Sequence, residues 1–197
     1  AHQDDLEFMA YEGIAECYKS QDQWFAGITV TDGRGSSRLG PYAHYTDDEM
    51  CVARKEEQRK AAEMGKYTAQ MQLDYASRQV KGEGREEVVA DLVALLCKMK
   101  PNTVYLHQPA DKHDGHVAVL GCCIEALRQT ADSHVPERII GCEVWRGLDW
   151  LADSDKIAMD CGAYPELTES LNAIFDSQIA GGKRYDLAVL GRRRANA

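Results

Sequence analysis

The stretch Thr103-Val104-Tyr105-Leu106-His107 decides the fold, because it is a short β-branched and aromatic run that leads through a polar loop into an amphipathic segment. The run predicts a strand over 103–107 and a loop over 108–115. The segment after the loop predicts a helix that starts near His116, since its apolar residues recur at helical spacing: Val117, Leu120, Ile124 and Leu127. A strand followed directly by a helix is the unit from which parallel sheets are built.

The same alternation extends in both directions from this unit. Thr46 and Glu49 have the spacing of a capping box, which predicts a charged helix over 47–64 that ends at Gly65. Further helices are predicted over 6–18, 85–99 and 166–179, and further strands over 24–31, 69–73, 139–145, 156–160 and 186–190. We therefore expect one α/β domain over 1–197, with a mostly parallel sheet covered by helices on both faces.

Length and charge are consistent with a compact enzyme. A chain of 197 residues suits a single core, since single cores grow to roughly 250 residues. The formal net charge of -9 argues against a nucleic-acid partner, because binding to phosphates needs clustered Lys and Arg. The seven cysteines have none of the paired spacings of structural zinc sites, and no run approaches the length of about 20 apolar residues that spans a membrane. These features favour reduced thiols and a cytoplasmic location.

Two short segments concentrate metal-binding side chains. They are Ala1-His2-Gln3-Asp4-Asp5 and His113-Asp114-Gly115-His116. Imidazole nitrogens and carboxylate oxygens describe a catalytic zinc site, which has three protein ligands and one open position. In an open parallel sheet such sites form beyond the carboxyl ends of the strands, so loops distant in sequence can meet at one ion.

At these two segments the chain resembles the PIG-L/LmbE family of zinc-dependent N-acetylglucosaminyl deacetylases, whose signatures are Ala-His-Pro-Asp-Asp-Glu and His-Pro-Asp-His. The likeness continues along the chain in five short patterns: Thr31-Asp32-Gly33, Arg54-x-x-Glu57, Ala61-Ala62-x-x-Gly65, Lys100-Pro101 and Ser177-Gln178. The resemblance implies a Rossmann-like arrangement. It also implies a strand just before the first motif, which we expect upstream of Ala1.

The resemblance assigns roles to residues of this chain. His2, Asp5 and His116 match the zinc ligands, and Asp4 matches the general base that takes a proton from the zinc-bound water. His113 matches the residue that stabilises the oxyanion or protonates the leaving amine. Family contacts with substrate are expected at three further positions: Arg54, Asp32 and Asp114. His107 and His44 are instead predicted to serve packing or solvent contact.

The second motif departs from the family pattern at Gly115, where the family has an aspartate that orients its histidine. Asp114 or Asp111 could take over that duty. In the first motif, Gln3 replaces a proline and Leu6 replaces a glutamate, although Glu7 follows directly.

The expected function is a zinc-dependent hydrolase that removes an N-acetyl or other N-acyl group from an amino sugar or a sugar conjugate. One alternative is an amidase that acts on a thiol-sugar or other amide conjugate with the same residues. A second is a non-catalytic metal- or carbohydrate-binding module, against which the presence of Asp4 argues, since a binder does not need a base. The expected partner is a small N-acetylated sugar or glycoconjugate, and assembly into a homo-oligomer stays open.

Overall fold

The computed structural model describes residues 1–195 and shows four strands there, arranged as two parallel pairs. β1 (Ala26–Thr31) pairs with β2 (Ala69–Tyr75), and β3 (Thr103–His107) pairs with β4 (Arg138–Cys142). Both partners in each pair run in the same direction, so each pair needs a crossover, and a helix supplies it. The predicted α/β class and the parallel pairing are confirmed.

Helices occupy most of the remaining chain. α3 and α5 lie between strands on the first half of the chain, and α6 connects β3 to β4. The helices are α1 (Asp5–Met9), α2 (Tyr11–Cys17), α3 (Asp47–Met64), α4 (Ser77–Lys81), α5 (Arg85–Met99), α6 (Asp114–Thr130), α7 (Pro165–Ile174), α8 (Asp176–Gln178) and α9 (Tyr185–Ala195).

The start of α3 is set by the capping box that the sequence predicts. The Thr46 hydroxyl accepts a hydrogen bond from the Glu49 backbone nitrogen at 3.2 Å, and the Glu49 carboxylate accepts one from the Thr46 nitrogen at 2.8 Å. Two backbone donors that the helix leaves unpaired are thereby satisfied. The helix ends at Met64, directly before Gly65, as predicted.

The apolar side chains form two buried clusters that hold the helices against the strands. One joins α1, α2 and α7 to β4 and contains Ile14, Leu171 and Phe175, each with no exposed surface. The other joins β1 to α4, α5 and α6 through Val30, Val88 and their neighbours. Fully burying one such side chain contributes about 1.5–3 kcal/mol, so the clusters fix the helices in place.

A cavity of about 650 Å³ lies between β1 and β3. Apolar side chains of both strands and of the helices beside them line it, including Ile28, Val30 and Leu106. Ala1 lies at this cavity, and its carbonyl oxygen accepts hydrogen bonds from the backbone nitrogens of Val30 at 3.2 Å and Thr31 at 3.0 Å. The main chain at Ala1 thus runs at the edge of β1, and the strand expected upstream stays a prediction.

Two predicted strands are wrong. Residues 186–190 belong to α9, because a short apolar run does not distinguish a strand from a helix and here Val189 is buried while Leu187 is exposed, as on an amphipathic helix. Residues 156–160 form no strand, and Ile157 in their middle is 70% exposed, so no apolar face is available to pack on a sheet.

Two predicted helices are interrupted. The segment predicted as a helix over 6–18 divides at Ala10, whose φ of -116° and ψ of 24° are not helical. The helix predicted over 166–179 ends at Ile174, because Phe175 takes a ψ of 58° while its ring is buried in the first cluster. None of the described helices combines the length and the apolar character that a membrane span requires.

Candidate active site

Asp4 and Asp5 stand at the entrance of α1 and are both buried. Asp5 is the first residue of the helix and Asp4 precedes it with a φ of +90°, in the left-handed region that few residues other than glycine adopt. The exposed fractions are 3% for Asp4 and 1% for Asp5. Buried carboxylates need charged or hydrogen-bonding partners, and the two residues find different ones.

Imidazole rings from both sequence motifs surround Asp5. One carboxylate oxygen, Oδ2, lies 3.3 Å from Nδ1 of His2 and 3.5 Å from Nε2 of His107, and the other lies 3.4 Å from Nε2 of His116. The main-chain nitrogen of His2 also donates to Oδ2 at 2.6 Å. The structure thus brings together the three residues matched to zinc ligands: His2, Asp5 and His116.

His116 is oriented from behind by Asp111. Its Nδ1 lies 3.0 Å from Oδ2 of Asp111, while its Nε2 is buried without a hydrogen-bond partner. A carboxylate on one imidazole nitrogen and a free second nitrogen is the usual arrangement around a metal-ligating histidine. The residues present therefore fit a divalent metal ion.

Two overlapping groups in the described chain bring three ligand atoms within 4.8 Å of one another. They are His2, His113 and His116, and Asp5, His107 and His116. His107 packs as predicted, since it is 2% exposed and its ring stacks on that of His116 at 4.0 Å, but it is also one of these candidate ligands. One signal could have identified it, since His107 is the last residue of a parallel strand, where sites form.

His113 stands at the start of α6 and caps this helix. Its Nδ1 accepts a hydrogen bond from the Gly115 nitrogen at 3.1 Å, so the proton of the neutral ring resides on Nε2. Burial lowers the pKa of His113, and the neighbouring His2 and His116 lower it further. The environment therefore favours the neutral imidazole, with Nε2 as a hydrogen-bond donor.

Asp4 has a different partner from Asp5 and pairs with Arg54 of α3. The Arg54 guanidinium is 1% exposed and donates to Oδ2 of Asp4 at 2.9 Å and to the Gln3 carbonyl. It also donates to Glu57 at 3.0 Å and to the Ser177 hydroxyl at 3.2 Å. Ser177 in turn donates from both its nitrogen and its hydroxyl to Glu57, each at 2.7 Å.

The pKa of Asp4 lies well above its ordinary value. Burial raises the pKa of this carboxyl to about 7, with the nearby Asp5 and Glu57 carboxylates adding to the rise and Arg54 opposing it. A carboxylate with this pKa is a stronger base than an exposed one, and it would exchange protons near neutral pH.

The three residues expected to contact substrate have different surroundings. Arg54 is buried and bonds Asp4, Glu57, Ser177 and the Gln3 carbonyl, as described above. Asp32 is 3% exposed and accepts hydrogen bonds from the Arg34 nitrogen at 3.1 Å and from its side chain. The Asp114 side chain is 78% exposed, pairs with Lys81 at 2.7 Å and has one oxygen 3.8 Å from Nδ1 of His113, whereas Asp111 orients His116.

About the first two thirds of the chain match a known protein family. The model of the family described as PIG-L, GlcNAc-PI de-N-acetylase, matches residues 1–127, which include both motifs and every imidazole named above. No curated protein matches the chain in a direct comparison.

Solved structures share the fold over nearly the whole chain. The conserved protein TT1542 from Thermus thermophilus matches with a TM-score of 0.75 at 19% identity, covering 98% of this chain and 84% of its own. N,N'-diacetylchitobiose deacetylase from Pyrococcus horikoshii, in complex with its inhibitor MPG, matches with a TM-score of 0.69 at 17% identity, covering 90% of this chain and 67% of its own.

A third structure is that of an enzyme with a different reaction. GalB, the 4-carboxy-2-hydroxymuconate hydratase from Pseudomonas putida KT2440, matches with a TM-score of 0.70 at 18% identity, covering 99% of this chain and 86% of its own. At such identities the likeness establishes the fold, and function has to be argued from the site.

Proposed function

The chain belongs to the PIG-L family of GlcNAc-PI de-N-acetylases, and from this premise we propose that it is a zinc-dependent hydrolase that removes an N-acetyl or other N-acyl group from an amino sugar or a sugar conjugate. The observation that carries the proposal is the pair of adjacent buried carboxylates with separate partners. Asp5 lies among imidazoles, whereas Asp4 lies against Arg54. A metal-binding module would need only the first.

His2, Asp5 and His116 would hold the zinc ion, with Asp111 fixing the orientation of His116. Two nitrogens and one oxygen form a ligand set that leaves a position open. When bound, zinc supplies a Lewis acid for the amide carbonyl and lowers the pKa of the attacking water.

Asp4 acts as the general base. Arg54 engages Oδ2 of its carboxylate, and the other oxygen is the one that receives the proton of the attacking water. With a pKa of about 7, Asp4 can accept this proton and later release it to the leaving amine near neutral pH. Arg54 contributes by holding the base in position, and we assign it no contact with substrate.

His113 stabilises the oxyanion that forms when water adds to the amide carbonyl. Because its Nδ1 accepts the hydrogen bond from Gly115, its Nε2–H can donate without a positive charge on the ring. Asp32 accepts hydrogen bonds from Arg34 and the exposed Asp114 pairs with Lys81, so we assign neither a part in the chemical steps.

Amine release with defined metal content tests the proposal. Purified protein would be stripped with a chelator, reconstituted with one equivalent of zinc, and offered N-acetylglucosamine and N,N'-diacetylchitobiose, with free amine and acetate quantified together. We expect equal amounts of both products and their loss on stripping. Amine release that persists without metal would contradict the zinc role, and no release from any N-acylated sugar by the zinc-loaded protein would contradict the hydrolase.

A further inference from the structure

A wall of three side chains extends outward from His116 and comes from the part of the chain beyond residue 127. The Trp145 ring lies nearly parallel to that of His116, at 12° and 6.2 Å between centroids. The Tyr185 ring lies 4.7 Å from that of Trp145, and Nζ of Lys183 lies 5.2 Å from the Tyr185 ring centroid. The wall thus leads from the buried His116 to Lys183, an exposed residue whose ammonium group is partly buried.

The turn that carries Lys183 has a defined conformation. Residues 179–183 form a π-helical turn, in which Gly182 has a φ of +97°. A side chain at Gly182 would also meet Leu39, since a Cβ there would lie 2.6 Å from Cδ1 of that residue. The Ser37 hydroxyl donates to the Gly181 carbonyl at 3.3 Å, so the turn is attached to the loop that precedes α3.

Lys183 differs in its pairing from four other basic residues around the site. Each of those four lies within ion-pair distance of a carboxylate, whereas no described carboxylate lies within 4.0 Å of the Lys183 ammonium, which is also true of Lys112 beside His113. The paired ones are Arg34 with Asp32, Arg54 with Asp4, Lys81 with Asp114 and Arg146 with Glu143. Partial burial lowers the pKa of Lys183, and Arg54 lowers it as well, against the opposing effect of Asp4 and Asp5.

Aromatic faces beside a cation suit a sugar with an acidic substituent. The C–H faces of a sugar ring pack on aromatic rings, and binding sites for small molecules combine such apolar walls with a few polar groups that fix orientation. An unpaired ammonium recognises an anion, and its strength rises where water is partly excluded.

We propose that Trp145, Tyr185 and Lys183 bind the part of the substrate beyond the acylamino group, and that this part carries a carboxylate or a phosphate. The inference rests on the proposed function. The net charge of -9 does not oppose it, because charges on exposed groups are screened beyond about 8 Å at physiological salt.

The test compares N-acetylglucosamine with N-acetylglucosamine 6-phosphate and N-acetylmuramic acid, which add a phosphate and a carboxylate. For the zinc-loaded protein we expect kcat/KM to be about tenfold higher for at least one acidic sugar than for the neutral one, the effect of one charge-assisted hydrogen bond. The acidic sugar that shows the preference identifies the anion. Lys183→Met should bring the ratio of kcat/KM values close to one, and Lys183→Arg should largely keep it.

Lys19→Met is the matched control. Lys19 also places its ammonium over a tyrosine, with Nζ 4.9 Å from the Tyr164 ring centroid, but it is not part of the wall. We expect this variant to keep the wild-type ratio. An unchanged ratio in Lys183→Met, with all substrates slowed alike, would overturn the proposal, because Lys183 would then only offset the site carboxylates. A wild-type preference for the neutral sugar would overturn it as well.

Binding separates failure of this inference from failure of the proposed function. Titration calorimetry of the same three sugars with wild type and Lys183→Met needs no turnover. If no sugar is hydrolysed but an acidic sugar binds about tenfold more tightly to the wild type, the wall is supported and the hydrolase is not. Equal affinities in the two proteins would refute the wall whatever the rates.

Discussion

Asp4 and Asp5 are adjacent in the chain, yet the residues around each carboxylate come from different parts of the molecule. We call these surroundings the Asp4 side and the Asp5 side of the site. The Asp5 side is made of imidazoles from β3 and α6, and its ligand atoms point toward one another. The Asp4 side is made of Arg54 from α3, with Glu57 and Ser177 behind it. Asp4 has a left-handed backbone conformation directly before the helix that begins at Asp5, and across this one peptide step the two carboxylates have separate partners.

Removal of a zinc ligand should have the largest effect, and we expect the structural change to stay on the Asp5 side. We expect His116→Ala to weaken zinc binding by more than about 100-fold, the upper range seen when only a supporting residue is lost, and to abolish amine release. Metal analysis after dialysis measures the first, and circular dichroism should show an intact fold because a catalytic site contributes less to folding than a structural one. If this variant still bound one full equivalent of zinc, His116 would not be a zinc ligand.

Removal of the base should stop the chemistry and spare the metal. Asp4→Asn keeps the shape of the side chain, and asparagine tolerates the left-handed backbone that Asp4 adopts. We expect kcat to fall by about 10²- to 10⁴-fold at unchanged zinc content, measured in steady-state assays on metal-quantified protein. If zinc is lost along with the rate, the two sides are not separable and Asp4 serves as a ligand.

Breaking the Arg54 network should mainly affect stability. Arg54→Met leaves the carboxylates of Asp4 and Glu57 buried without a cation, which costs about 3–5 kcal/mol in the free energy of unfolding. Arg59→Met is the control on the same helix, since the Arg59 side chain is 53% exposed and pairs with Glu56 on the surface, where a loss below about 1 kcal/mol is expected. Urea titrations of both should therefore differ in midpoint, and equal midpoints would show that Arg54 is not a structural centre.

The smallest effect should come from the residue that orients His116. We expect Asp111→Asn to weaken zinc affinity by about 10- to 100-fold with the ligands still present. Asp114→Asn, a change three residues away in an exposed carboxylate paired with Lys81, should leave affinity unchanged. Competition with a zinc chelator measures both, and a larger loss in Asp114→Asn would reverse the assignment of the orienting carboxylate.

The sequence predicted what depends on local pattern. The capping box at Thr46 and the strand and helix around the second motif are short-range signals, and both are confirmed. The loops that follow strands of a parallel sheet are expected to converge, which predicted that His2 and His116 meet, and the structure brings these residues together.

Other features depend on tertiary packing, which one sequence does not reveal. The spacing of Arg54 and Glu57 is also that of a surface i, i+3 pair, and only the packing of Ser177 and Asp4 against Arg54 buries it. His107 carries only the weak signal of its position at a strand end, and it is the stacking of its ring on His116 that places it beside the site. The apolar run at residues 186–190 is compatible with a strand or with a helix. The structure forms a helix there, with Val189 buried against the core.

The hydrogen bond from Gly115 to His113 couples the protonation state of His113 to the stability of the first turn of α6. Full protonation of His113 would convert Nδ1 from acceptor to donor and forfeit the cap, a loss of about 0.5–2 kcal/mol of helix stability. The first turn that would then fray contains His116 itself. A charged His113 would therefore loosen the ligand three residues away, so protonation and metal retention are thermodynamically linked through one backbone amide.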